Sequence, residues 1–145
     1  DMRRAMADPT LDARLPPAML AEQESRIRAG HCHALPESQI RPMTRIQIAR
    51  DVAMAQTLTE AADHGRTVLL VAGNGHVQRG LGVPQHLPAG FESTVLSVQA
   101  RQAQAAMNTE ASDTPRRAGA DLVWSTPALP PRDHCAAFRP AAAPR

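Results

Sequence analysis

From Thr67 to Ala72 the chain is an unbroken run of apolar and β-branched residues. Such a run suits a strand buried on both faces, as in a parallel sheet covered by helices. It breaks into Gly73, Asn74, Gly75 and His76, where the two glycines allow positive φ and close backbone approach. Ser93–Val98 and Asp121–Thr126 read as two further strands, the second stopped by Pro127. The strongest helical period runs from Glu37 or Pro42 to Asp63 and ends at His64 and Gly65. Met43, Gln47, Arg50, Met54 and Leu58 form its stripe. A shorter helix over Ala18–Ala29 is opened by Pro16 and Pro17 and stopped by Gly30, with Met19, Leu20 and Ile27 as its apolar positions. Val77–Leu81 suggests a short helix ended by Gly82, and Pro84 and Pro88 limit regular structure around His86. Residues 1–15 are Arg-rich and read as a partial helix or an extended lead-in.

Three strands and two good helices make an incomplete α/β layer. The expected class is α/β: a partial, mostly parallel sheet with flanking helices. Residues 1–145 are expected to be the C-terminal portion of a larger single-domain fold, whose remainder lies N-terminal to this sequence. Residues 100–119 are polar and rich in Ala and Gln, and read as a mobile loop. The Pro- and Ala-rich end is anchored only at Cys135 and Phe138, with residues 139–145 as a disordered tail.

All sixteen basic residues are Arg, spread along the chain, and the net charge is only +2. Trp124, Phe91 and Phe138 are the only aromatics. Scattered charge with so few aromatics argues against a nucleic-acid surface. No stretch reaches transmembrane length.

The glycine turn delivers His76 just past the carboxyl end of a buried strand, where open α/β sheets place ligands. The same residues also describe an ordinary strand-to-helix turn with a solvated His. Gln47 and Arg50 interrupt an otherwise apolar stripe, and Asp51 stands in i+4 relation to Gln47. Polar groups in a buried stripe need partners. They form either an internal network or the wall of a pocket beside His76. His31 and His33 flank Cys32, and an extended backbone there points both rings to one side, either into solvent or around a metal. Cys32 and Cys135 lie far apart in sequence and fit buried thiols, a disulfide or half a metal site; CxxC spacing is absent.

Several blocks in order carry a resemblance: His31-Cys32, Leu35–Glu37, Met43 with Gln47, Arg50-Asp51 with Met54-Ala55, Val68–Leu87, and Asp121–Cys135. Together they resemble the C-terminal half of ChaN-like proteins, iron-regulated haem-binding lipoproteins of bacteria, over residues 31–99 and 120–139. The resemblance implies an α/β fold, haem binding tied to iron uptake, and a place in the periplasm or at the outer membrane. It also implies attachment through a lipid anchor outside this chain. In the family, haem can sit at a homodimer interface with a tyrosinate axial ligand and His or Lys near the propionates. This chain has neither Tyr nor Lys, so a tyrosinate comes from outside it or the ligation differs.

His76 and His86 are chemically able to bind haem iron, and Arg50 or Arg79 suits a propionate. The candidate cofactor-binding set is therefore His76, Asn74, Gly75, Arg50, Gln47, Asp51, Arg79 and His86, with His76 as metal ligand and no catalytic residue. More distantly, the blocks resemble erythromycin-esterase-like hydrolases and Tiki-type metalloproteases, whose GxxH motif Gly73–His76 fits. That resemblance implies, as the alternative, a metal-dependent hydrolase. Its chemistry needs about three protein ligands, and the Glu and His partners of those families are not visible in this chain. In an exported protein Cys32 and Cys135 are expected to pair, with Cα atoms within about 7 Å.

Overall fold

The computed structural model describes residues 2–62, 65–100, 119–128, 130 and 132–138. Its N-terminal part is helical. Helix α1 (Met2–Ala7) leads through a 3-10 turn at Leu11–Arg14 into α2 (Pro17–Gly30) and the long α3 (Glu37–Ala62). Pro17 sits in the first turn of α2, where its missing N–H costs nothing. The C-terminal turn of α2 is closed by His31, whose Nδ1 lies 2.8 Å from the Ile27 carbonyl. Arg28 then bridges to Glu37 at 2.8 Å and ties the end of α2 to the start of α3. Helix α3 continues through Pro42, so its N-terminal boundary is the earlier of the two expected.

The helices share one core of Ala5, Leu11, Leu15, Ile48, Ala49 and Val52, with Met6, Met19 and Leu20 packed against it. The face that α3 buries is not the expected one. Ile40, Thr44, Ile48, Asp51, Val52 and Ala55 are buried, whereas Met43, Gln47, Met54 and Leu58 are half-buried and Arg50 is exposed. The buried stripe lies about one residue round the helix, where Ile and Val can face α1 and the 3-10 turn.

The sheet is parallel, as expected, but has two strands among the described residues. Strand β1 (Leu96–Ala100) pairs with β2 (Leu122–Thr126) in the register Leu96 to Leu122 through Ala100 to Thr126. β1 starts later than Ser93 because the Val95 carbonyl already accepts from the N–H groups of Asp121 and Leu122 where the chain enters β2. The expected strand at Thr67–Ala72 does not form. These residues belong to no ladder, and Leu69 and Val71 are each 85% exposed. A run of high β-propensity becomes a strand only when another strand takes its backbone hydrogen bonds. Neither described strand is hydrogen-bonded to this run.

Two turns also differ from expectation. The short helix is α4 (Asn74–Val77), so the glycine turn is itself the helix, and Val77–Leu81 lies at and beyond its end. Neither Gly73 nor Gly75 takes a positive φ. Cys32 and His33 do, both at φ 56°, so the connector is a tight left-handed turn and not an extended stretch that aligns two histidines. Phe138 is exposed and anchors nothing; Cys135 is the anchor, joined to Cys32 by a disulfide with a Cα–Cα distance of 5.6 Å. The expected loop lies outside the described residues except for its ends: Ala100 closes β1, and the Gly119 carbonyl accepts from Arg79 N–H at 2.8 Å. The expected tail lies outside them entirely.

Candidate functional site

Helix α3 and the α4 turn build the site between them. Gln47 and Asp51 are one helical turn apart on α3, so both side chains project in the same direction. His76 reaches them from α4. Its Nδ1 lies 2.5 Å from Asp51 Oδ1 and 2.9 Å from Gln47 Nε2, and its Nε2 lies 3.3 Å from the same Gln47 nitrogen. Asp51 is fully buried (0% exposed), while the His76 side chain keeps 22% of its surface open. The second carboxylate oxygen, Asp51 Oδ2, is buried with no hydrogen-bond partner.

Burial dominates the electrostatics of this pair. It pushes the Asp51 carboxyl up to about 6, and the hydrogen bond and charge of His76, with the charge of Arg50, offset only part of that rise. Nδ1–H of His76 donates to the carboxylate when Asp51 is ionised. In this tautomer the Gln47 amide nitrogen, a donor, can give a hydrogen bond only to the Nε2 lone pair at 3.3 Å, and its 2.9 Å approach to Nδ1–H is a contact without a hydrogen bond. Such a carboxylate–imidazole pair fixes the tautomer and orients the ring. It can therefore serve a metal ligand or a general base.

A glycine not assigned to the site makes this geometry possible. A Cβ on Gly82 would stand 2.0 Å from the His76 carbonyl oxygen and 3.0 Å from that of Gly75. The chain doubles back here through Gly82 N–H to Gln78 C=O at 2.8 Å. The sequence marks Gly82 only as a helix stop; the close approach is what requires it. Gly82→Ala is expected to lower stability by about 1–3 kcal/mol and to displace the His76 ring resonances. Urea unfolding and imidazole NMR check this, and wild-type values in both would show that the backbone shifts freely.

The other candidate residues are placed elsewhere. Arg50, beside Asp51 in the chain, is exposed, and so is Gly75. Asn74 turns to the sheet: Nδ2 donates to the Val98 carbonyl at 3.2 Å, and Oδ1 accepts from the buried Ser97 hydroxyl at 3.3 Å. Arg79 clamps the entrances of both strands. Its Nε and Nη2 donate to the two oxygens of Asp121 at 2.8 and 2.5 Å, and Nη2 also donates to the Ser93 carbonyl at 2.5 Å. This pairing holds the Asp121 carboxyl down at about 2. His86 closes the 3-10 turn Val83–His86, and its Nε2 is buried without a partner. Burial, with the nearby charge of Arg14, pushes its pKa down. The structure thus brings together His76, Asp51 and Gln47, and spreads the rest.

Beside the α4 turn lies an open cavity of about 1370 Å³. Leu58, Leu70, Val77, Val83, Leu87 and Phe91 give it an apolar lining, and Gly73 and Asn74 belong to its wall. His76 itself does not line it. A second group of potential ligands joins the end of α2 to the segment after β2, at Cys32, His134 and Cys135, with the two cysteines paired as a disulfide. Sequence reasoning passed over His134, although its place next to Cys135 was the available signal.

The family model described as "Haem-binding uptake, Tiki superfamily, ChaN" matches residues 2–87. The match takes in α1 and α2 and ends just after the 3-10 turn that carries His86. No curated protein and no solved structure matches the chain.

Proposed function

The chain belongs to the ChaN-like family of haem-binding uptake proteins in the Tiki superfamily, and from that premise we propose that it binds haem as cargo for iron uptake, in the bacterial cell envelope, through His76. The observation that carries the reading is the buried Asp51 carboxylate 2.5 Å behind His76 Nδ1. A carboxylate in that position is the usual second partner of a metal-binding imidazole. With no Tyr in the chain, imidazole is the axial donor this chain offers best. An apolar cavity of the kind that takes a porphyrin face borders the α4 turn that carries His76, and the His76 ring must turn out of its present position to reach a haem seated there. Arg66 also lines that cavity and carries the charge that propionates require.

The disulfide between Cys32 and Cys135 supports an exported protein, because such bonds persist in oxidising compartments. Attachment through a lipid anchor outside this chain and a homodimer that shares haem belong to the same proposal. Sedimentation with and without hemin tests the dimer.

Titrating hemin into the protein should give a saturable Soret shift. His76→Ala should weaken hemin binding by about 10- to 100-fold. Unchanged hemin affinity in that variant would sink the assignment.

The Asp51–His76 pair also favours a second reading, a metal-dependent hydrolase in which His76 is base or ligand within the Gly73–His76 turn. Such a metal site needs about three protein ligands. Among the described residues, the group of three close ligating side chains does not include His76. An ester-hydrolysis screen with metal analysis tests this reading, and any activity that survives His76→Ala removes it.

A further inference from the structure

Cys32, His134 and Cys135 each offer one ligating atom, and these atoms all lie within 4.8 Å of one another. In the folded chain the two sulfurs are joined. We propose that this cluster is a redox-gated metal site, closed as a disulfide and opened by reduction to bind Zn²⁺ through two thiolates and the His134 imidazole.

Each turn of the site has its local shape fixed by hydrogen bonds of its own, while the disulfide holds the two turns together. Cys32 lies on the left-handed turn that ends α2, fixed by Cys32 N–H to Ala29 C=O at 3.0 Å and His33 N–H to Arg28 C=O at 2.8 Å. His134 and Cys135 lie on a second turn, fixed by Cys135 N–H to Asp133 Oδ1 at 3.0 Å and His134 N–H to Arg132 C=O at 3.1 Å. Opening the bond keeps the local shape of each turn, with Cys32 on one and His134 and Cys135 on the other, and a bound Zn²⁺ takes over the link between them that the disulfide made. Both cysteines are half-buried and His134 is exposed, so a reductant and an aqueous ion have access.

The chemistry balances with a dithiol reductant. It transfers two electrons and two protons to the disulfide, leaves as its own disulfide, and yields two protein thiols. Zn²⁺ then displaces the two thiol protons and takes the imidazole nitrogen in its neutral form. Water fills the fourth tetrahedral position, as in zinc sites with three protein ligands. Two thiolates and one imidazole form a soft set that prefers Zn²⁺ to Mg²⁺ or Ca²⁺. The oxidised site holds no thiolate and does not bind. Metal occupancy thus follows the thiol redox state, independently of His76 and its ligand.

The test uses the full chain, reduced anaerobically, freed of reductant and titrated with Co²⁺. The expected result is a thiolate-to-cobalt charge-transfer band with tetrahedral d–d bands, both abolished by Zn²⁺. The oxidised protein should show neither. His134→Ala leaves the disulfide in place in the oxidised state, and after reduction it should bind Co²⁺ at least about 10-fold more weakly. Zn²⁺ should also slow re-formation of the disulfide by oxidised glutathione. The proposal is overturned if the reduced chain gives no charge-transfer band, or if His134→Ala and wild type bind Co²⁺ equally. A reduced chain that loses its helical circular dichroism and does not regain it with Zn²⁺ overturns it as well.

Discussion

Replacing Cys32 and Cys135 by serine is expected to lower the unfolding free energy by about 4 to 5 kcal/mol. The bond joins residues 103 positions apart, and the stabilisation from closing a loop grows with its length in the unfolded chain. That amount is a large share of the stability of an ordinary domain, typically about 5–15 kcal/mol. The bond also fastens the segment after β2 to the end of α2, so its loss frees that segment first. Chemical denaturation of the double-serine variant, followed by helical circular dichroism, measures the effect. A loss below about 1 kcal/mol would mean that the unfolded chain already holds these ends together, or that the bond strains the native state.

Stability should also fall as pH rises from about 4 to 6, and Asp51 is the cause. Burial holds its carboxyl at about 6 in the folded protein against an ordinary 3.8. The native state therefore keeps a proton that the unfolded chain has already released. This contribution is fully present below about pH 4 and is lost as pH passes 6. A shift of that size corresponds to roughly 3 kcal/mol. Asp8 and Asp121 act in a different window. Both are held at about 2 by hydrogen bonds against an ordinary 3.8, so their contribution is present above about pH 4 and is lost as pH falls from there through about 2. His86 runs the opposite way to Asp51, because its lowered pKa costs stability as the pH falls. The difference between wild type and Asp51→Asn isolates Asp51 with its coupling to His76. Equal pH slopes in the two proteins between pH 4 and 7 would remove Asp51 as the cause.

Local chemistry was legible in the sequence; pairing over distance was not. Pro16, Pro17 and Gly30 fixed α2 to within a residue, because caps and breakers act on their immediate neighbours. The parallel pairing was also foreseen, and β2 was placed to within one residue. Thr67–Ala72 misled because an apolar run records a preference for burial without naming what does the burying. The stripe on α3 misled in a similar way. Two apolar stripes lie side by side, one through Met43 and Met54 and one through Ile40 and Ile48, and only packing against α1 selects the second.

That same rotation explains the site. Successive helical residues point about 100° apart, so Gln47 and Asp51 meet His76 while Arg50 points outward. Membership of the family was legible over residues 31–87, whereas the match does not extend to the stretches 88–99 and 120–139 that the resemblance included, and it also covers α1 and α2. Their sequences carry no motif that stands out, and they contribute by supplying the apolar wall on which α3 is set. Gly82 was hidden for a related reason: its need for no side chain is set by a carbonyl six residues earlier.

The sheet has one face that the described helices leave uncovered. Leu96, Val98, Leu122 and Trp124 project from it, and Trp124 is 64% exposed. It is also the only Trp in a chain without Tyr. The intrinsic fluorescence of the protein is therefore a signal from this one surface. An indole already in water changes its emission little when the helical core melts, so tryptophan fluorescence is a poor measure of global unfolding here. Anything that covers the face shifts the emission to the blue. The same residue thus gives a direct optical titration for whatever the sheet comes to rest against.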